Sequence, residues 1–294
     1  VYDLPDAPAS GEVRVARKVL QSSASDLARS TTYTFGTFGV QRGGVSAGIN
    51  AEGDNIDSAI TGFIDETTLH VSDGSLFLVP GKGVPNDGLA PLAQASPFGE
   101  AADSSAGDLV ASVMAACTWS LGGSLAGKSV AVESPHLAPP GLLDALAQAD
   151  TTVVDVFGVD KKPWLVWGAE VDLLLAGSKP GVLNHQGTDS VVAKAIVPWG
   201  PIPVTTKAYV QLDRAGVTYV PDFISLAGQR LAGVGPNDAA TGSSGSASIA
   251  EHVTSSLDTY AGSDHGLFLG ACIAAEEFVE SWRGYKPFGR PLAA

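Results

Sequence analysis

Positive charge is scarce in this chain: across 294 residues, 17 Lys plus Arg face 31 Asp plus Glu, for a formal net charge of −14. That balance repels phosphate backbones and excludes a general nucleic-acid or anionic-membrane binder, leaving room only for a local basic pocket that takes a small anion. The cations are also unevenly spread, with no lysine between Lys18 and Lys82 and no arginine between Arg42 and Arg214. Charged residues of all kinds make up 16% of the chain and hydrophobic ones 45%, which excludes disorder and describes short buried elements. Only two cysteines occur, Cys117 and Cys272, each inside an apolar stretch, so no disulfide framework is implied. No C-x-x-C is present and the five histidines are scattered, so no metal site is expected. The longest apolar runs, near Leu109 to Trp119 and Gly266 to Ala275, fall short of the roughly 20 residues that cross a bilayer. The opening VYDLPDAPASGEV has neither the basic region nor the apolar core of a signal peptide, and the expected location is the cytoplasm.

What is abundant is glycine and proline, 35 and 18 residues, which punctuate the chain into many tight turns. Val13 to Leu20, Thr31 to Val40 and, after Arg42-Gly43-Gly44, Val45 to Ile49 read as strands of a small antiparallel sheet. Ile56, Ala59, Ile60, Phe63 and Ile64 then recur at helical spacing with Asp54 as N-cap, predicting an amphipathic helix that covers this sheet. The stretches 80–88 and 96–107 read as a loop and a connector.

From Leu109 the pattern becomes an apolar helix followed by short apolar strands alternating with helices. The strand readings are Val130 to Val132, Val153 to Val156, Trp164 to Trp167, Leu173 to Leu175, Ala195 to Val197 and Val217 to Val220, with helices Pro139 to Ala149 and Thr205 to Ala215. Nearly continuous apolar strands separated by helices indicate a parallel sheet covered on both faces. The stretch 233–248 reads as a second connector, followed by helices Ile249 to Tyr260 and Leu267 to Trp282. The expected fold class is therefore α/β. A smaller α/β first domain (1–106) is completed by C-terminal helices (233–294) and accompanied by a Rossmann-like parallel-sheet domain (107–232).

Most chemistry-bearing motifs fail in context. GGSLAGKS at 122–129 matches a phosphate-loop pattern, but a phosphate loop follows a strand and opens a helix. Here the glycines close a helix and Lys128 opens a strand. After the first strand of the parallel sheet, where a dinucleotide fold needs glycines, the chain reads Glu133-Ser134-Pro135-His136-Leu137-Ala138-Pro139-Pro140. No G-x-S-x-G elbow is present. Asp155 and Asp160, near the end of the second strand, are the acids placed to accept from ribose hydroxyls. Lys82, in Gly81-Lys82-Gly83 and close to Asp87, is the cation placed to hold an anion.

The runs LAGKSVAVES, VDLLLAGSKPGVLN and AKAIVPWGPIPVTTKAYVQLDRAGVTYVPDFISLAGQ resemble the cofactor domain of the Glu/Leu/Phe/Val amino-acid dehydrogenases. The specific parts are GVLN at 181–184, the Thr205-Thr206 helix start, and Val220-Pro221-Asp222-Phe223 followed by Ala227-Gly228. Gly43-Gly44-Val45 looks like the family's substrate-loop glycines. The resemblance covers most of residues 40–230, and the closing EEFVESWRGYKPFGRPLAA looks like tails of some members. It implies two domains, an oligomer built through the first, and oxidative deamination of an amino acid with NAD or NADP by two lysines and an aspartate.

Those catalytic parts are what the chain lacks: residues 43–81 contain no lysine, and Pro80-Gly81-Lys82 puts a base where the family's loop carries its acid. The family's Asn-Ala-Gly has become Ser225-Leu226-Ala227-Gly228. Losing one catalytic acid or base costs about 10²–10⁴ in rate, and losing the cofactor removes hydride chemistry. The expectation is a divergent relative that binds no cofactor and acts as a binding or assembly protein, a homo-oligomer or the partner subunit of a hetero-oligomer. The alternative is an active NAD(P)-dependent oxidoreductase with relocated groups. There Lys82 would bind the substrate carboxylate, Asp87 or Asp222 would handle the proton, Gly43 and Gly44 would line the substrate, and Asp155, Asp160 and Ser225 would hold the cofactor.

Overall fold

A computed structural model describes residues 1–98, 105–155, 163–231 and 246–293. The chain divides into two compact units. One comprises Val1–Ser105, Gln229–Gly242 and Ala274–Pro291, the other Ala106–Gly228, Ser243–Ile273 and Leu292–Ala294.

The first unit is built from β1 (Ala9–Ala16), α1 (Gln21–Thr37), β2 (Gly43–Asn50), α2 (Ile56–Ser72), β3 (Leu76–Pro80) and α3 (Ala90–Ala95). Its sheet has the order β2-β1-β3 and is parallel throughout, with Ala9 opposite Gly43 on one side and Leu76 on the other. The antiparallel sheet expected from the sequence is therefore corrected, because helical crossovers, not hairpins, join these strands. Alternation sorts the two faces. Ala9, Val13 and Val15 of β1, Val45 and Ile49 of β2, and Leu76 and Leu78 of β3 share one core with Ile60 and Val71 of α2. Ile56, Ala59, Phe63 and Ile64 pack on the same core, so the helical spacing was read correctly. Asp54 falls instead in a short 3-10 turn (Gly53–Asn55), and Asn55 takes the N-cap position without a side-chain bond.

The other face meets α1, and here the second correction lies: Thr31 to Val40 is not a strand. Its β-branched and aromatic residues mimic one, but residues 30 to 36 are all buried in the second half of α1, so burial on every side replaces alternation. The threonines satisfy their hydroxyls within the helix, Thr31 on the Leu27 carbonyl, Thr32 on Ala28, Thr34 on Ser30 and Thr37 on Tyr33. Contact between α1 and β2 is close enough to require glycine. A methyl on Gly44 would sit 1.8 Å from the Ala28 carbonyl oxygen, and the Gly44 N–H donates to Thr32 Oγ1 at 2.9 Å.

The chain's C-terminal part packs on this unit through Val279 and Trp282 against Leu4 and Ala7, and through the Glu276 carboxylate. Tyr33 Oη donates to Glu276 Oε1 at 2.8 Å, and Arg290 donates to both Glu276 oxygens at 2.9 and 3.3 Å. Burial alone would raise the Glu276 carboxyl, but these bonds and the Arg290 and Lys286 charges outweigh it and hold the group below the ordinary carboxylate range.

The second unit contains α4 (Ser105–Ser120), β4 (Ser129–Val132), α5 (Leu142–Gln148), β5 (Thr152–Val153), β6 (Leu173–Ala176), β7 (Ala195–Pro198), α6 (Thr206–Arg214), β8 (Thr218–Tyr219) and α7 (Asp222–Ser225). Three more helices follow, α8 (Ala227–Leu231), α9 (Ser246–Ala261) and α10 (Leu267–Arg283), and by the division above α8 and α10 contribute residues to both units. The five strands are parallel in the order β5-β4-β6-β7-β8. All four residues of β6 and of β7 are buried, as continuous apolar runs require. Thr205 caps α6 by accepting from the Ala208 N–H at 3.3 Å. Trp164 to Trp167 is a 3-10 turn and not a strand: Trp164 and Leu165 are exposed while Val166 and Trp167 are buried, a pairing that strand alternation cannot produce. Val156, Asp160, residues 99–104 of the first connector and 233–245 of the second lie outside the described residues. Cys117 and Cys272 are both buried and form no disulfide, and burial pushes the Cys117 thiol up.

Two outcomes test this packing. Gly44→Ala should lower stability by about 1–3 kcal/mol in urea denaturation, whereas Gly62→Ala, exposed in α2 with open space around it, should raise it by about 0.5–1 kcal/mol. The lowered Glu276 group stabilises the fold above its unfolded value of about 4.3, and that contribution disappears as pH falls through the lower folded value. Between neutral pH and about pH 3, wild type should therefore lose more stability than Glu276→Gln.

Candidate functional site

In the second sheet the chain leaves β4 for β5 on one side and then returns to β6 on the other. Such a reversal opens a crevice outside the carboxyl ends of the two central strands, the place where doubly wound sheets bind ligands. Glu133 directly follows β4, and Gly177-Ser178 directly follow β6. The Glu133 carboxylate spans the crevice. Its Oε2 accepts the Ser178 N–H at 3.0 Å and the Gly177 N–H at 3.3 Å, and its Oε1 accepts the Ser178 hydroxyl at 2.7 Å and the Ser134 hydroxyl. Glu133 is 2% exposed, and Ser134 turns its hydroxyl inward from a left-handed conformation at φ +50°.

The neighbouring loops close on the same edge. A methyl on Gly177 would lie 2.2 Å from the Gly200 nitrogen, and one on Gly200 would lie 2.1 Å from the Gly177 oxygen, so the β6 and β7 loops touch backbone to backbone. Asp222 is fully buried and accepts the N–H of Ile202, itself held at φ +41°. Ser225 is fully buried and donates to the Pro198 carbonyl at 2.8 Å.

A dinucleotide needs vacant amides after the first strand. In the segment 134–141, Pro135, Pro139 and Pro140 have no N–H, and those of Leu137 and Ala138 are bonded within the turn. With a buried carboxylate beside them, these residues do not fit a pyrophosphate. The GGSLAGKS stretch fits no better: α4 ends at Ser120, Gly122 and Gly123 turn at φ +77° and +96°, and Lys128 leads into β4.

The remaining sequence-derived residues do not converge. Lys82 is exposed on the turn after β3, and its carbonyl accepts the Val15 N–H at 2.9 Å. That bond brings it to the carboxyl end of β1, the sheet edge that also carries Arg14, Arg17 and Lys18. Arg17 lies 3.5 Å from Glu52 there. Gly43 and Gly44 start β2 opposite Ala9 and Ser10, the far end of the sheet from Val15. At about 3.3 Å per residue they stand roughly 20 Å from the Lys82 edge. Asp87 is exposed beyond that turn, with its carbonyl accepting the Ala90 N–H that starts α3. Asp155 is exposed just past β5.

Two hollows among the described residues lie away from the crevice. A shallow depression of about 400 Å³ lined by Ser129, Glu170, Asp172 and Val192 occupies the amino end of β4 and β6. There the Ser129 amide and hydroxyl and Lys194 hold Asp172 below the usual carboxylate range. A space of about 10 Å³ in the first unit, beside Ser10 and Arg230, has room for one water. Among the described residues there is no cluster of three or more metal-ligating side chains, and no helix is long and apolar enough to cross a membrane.

These observations define a class: an α/β protein with two parallel sheets, one doubly wound. No protein-family model and no curated protein matches the chain. Solved structures do. A hetero-hexameric glutamate dehydrogenase from Thermus thermophilus in its Leu-bound form is similar with TM-score 0.74 and 19% identity, over 96% of this chain and 83% of that one. An L-tryptophan dehydrogenase from Nostoc punctiforme is similar with TM-score 0.64 and 17% identity, over 94% and 90%. A glutamate dehydrogenase from Plasmodium falciparum gives TM-score 0.71 and 14% identity, over 95% and 77%. The resemblance seen in the sequence thus holds at the level of the fold: this chain has the amino-acid dehydrogenase fold.

The sequence reading passed over Glu133 and Ser178. The available signal was an acid placed without a break after the apolar Val130–Val132 run. Ser178→Ala leaves a buried carboxylate short of a donor and should cost about 1–3 kcal/mol in urea denaturation.

Proposed function

We propose that this protein is a non-catalytic relative of the amino-acid dehydrogenases, without NAD(P)-dependent oxidative deamination, that works as a binding or assembly protein. The observation that carries this reading is the Glu133 carboxylate seated in the crevice where a cofactor would need vacant donors. A second anion brought against a buried carboxylate is repelled in a low-dielectric setting. Hydride transfer depends on a protein that holds the cofactor's reactive atom against the substrate, and here that support is missing. The proline-rich segment and the buried Asp222 and Ser225 favour the same reading. The similar Thermus thermophilus enzyme is hetero-hexameric, which makes an intact homologous subunit the natural assembly partner, alongside self-association.

The second reading, an active enzyme with relocated groups, draws on one observation: the exposed Lys82 stands at the carboxyl end of β1, which leads into Arg17 and Lys18, a setting suited to a substrate carboxylate. Gly43, Gly44, Asp87, Asp155 and Asp160 belong to that reading only.

One titration separates the two. A ligand at 100 times its Kd stabilises a fold by about 2.7 kcal/mol, so NADH or NADPH binding would shift Tm visibly. The expected result is no saturable shift with either and no amino-acid-dependent reduction of NAD or NADP. Turnover with any common amino acid overturns the proposal. Lys82→Ala should then abolish that turnover while moving Tm by no more than about a degree or two, since an exposed side chain adds little to stability.

A further inference from the structure

The donors around Glu133 form a receptor in their own right. Two consecutive backbone N–H groups, Gly177 and Ser178, converge on one oxygen, and two hydroxyls, Ser134 and Ser178, converge on the other. Four donors on a planar, two-oxygen acceptor is the pattern of a carboxylate-binding nest. It is rigidly set, because Gly177 is held against Gly200 and Ser134 is fixed in a left-handed conformation. We infer that this nest is an anion site whose ligand class is a carboxylate, and that the chain supplies the ligand itself, Glu133 acting as a built-in occupant.

The inference rests on the same crevice as the functional reading above, and it adds what that reading leaves open, namely that the crevice without its own side chain is a binding site. Glu133→Ala removes a fragment that acetate replaces atom for atom: one carbon and the carboxylate. Acetate should therefore raise the Tm of Glu133→Ala saturably, by about 5 °C at 100 times its Kd, while chloride at equal ionic strength does not. Wild type, with the nest filled, should respond to acetate no more than to chloride. Adding Ser178→Ala, which deletes one of the donors, should weaken the acetate response several-fold and so locate it. An acetate response of Glu133→Ala no larger than that of chloride overturns the inference, as does an equal response in wild type.

If Glu133→Ala folds only when acetate is supplied, the inference is supported. If it folds in neither salt, Glu133→Asp and Glu133→Gln decide. An anion site ranks Asp, which keeps the charge, above Gln in Tm, whereas simple space-filling ranks Gln, which keeps the shape, at or above Asp. Failure here is distinct from failure of the functional reading. NADH binding to wild type would sink that reading and leave the acetate result standing, and a missing acetate response would leave the NADH result untouched.

Discussion

A carboxylate taken out of water must find its donors inside the protein, and the second unit is organised around how Glu133 finds them. Two strand ends and a left-handed serine supply four hydrogen bonds to its two oxygens. Removing any one of these donors leaves part of a charge uncompensated in a dry site, which is costlier than never burying it. The loops after β4 and β6 are thereby tied to each other. The loop after β7 is drawn into the same edge by the Gly177 and Gly200 contact and locked from below by Asp222 and Ser225. In a doubly wound sheet the carboxyl edge is usually the ligand-taking edge; here four of its donors are turned onto Glu133.

The same economy of polar groups runs through the rest of the chain. With charges at 16% of residues, buried joints are made by hydroxyls and by glycine. Ser112 takes the Gly228 N–H and donates to the Ser225 carbonyl, fastening α4 to the segment after β8. Threonines inside α1 return their hydroxyls to the helix, which lets a segment of strand-like composition be buried on all sides as a helix. The buried Arg230 donates to the Ser30 carbonyl and the Thr34 hydroxyl, and the half-buried Glu276 receives Tyr33 and Arg290.

The carboxyl end of β1 in the first sheet receives the Lys82 turn and leads into Arg17 and Lys18, while the carboxyl edge of the second sheet holds the buried Glu133. A fold is compatible with many functions, and these edges, more than the fold, carry the argument about chemistry. At identities of 14 to 19% the similar solved structures speak for architecture, and the residues at each edge speak for what the architecture has become.

Apart from Trp164 to Trp167, the strands of the second unit were legible locally, because four-residue apolar runs such as Leu173–Ala176 have no exposed face to confuse the pattern. The α2 helix was legible for the same reason, its Ile56 to Ile64 spacing matching one buried stripe. The absence of a glycine fingerprint after β4 needed only the residue names. Tertiary structure alone decided the rest. Thr31 to Thr37 became helical because α10 and the first sheet bury it from several sides, and the first sheet became parallel because its partners lie across helices rather than turns. Glu133 could not be recognised as a bridge, since its partners Gly177 and Ser178 are about 44 residues away in sequence and meet it only through the strand order. Local pattern records which residues wish to be buried; which polar group answers which is set by topology, and topology is a property of the folded chain as a whole.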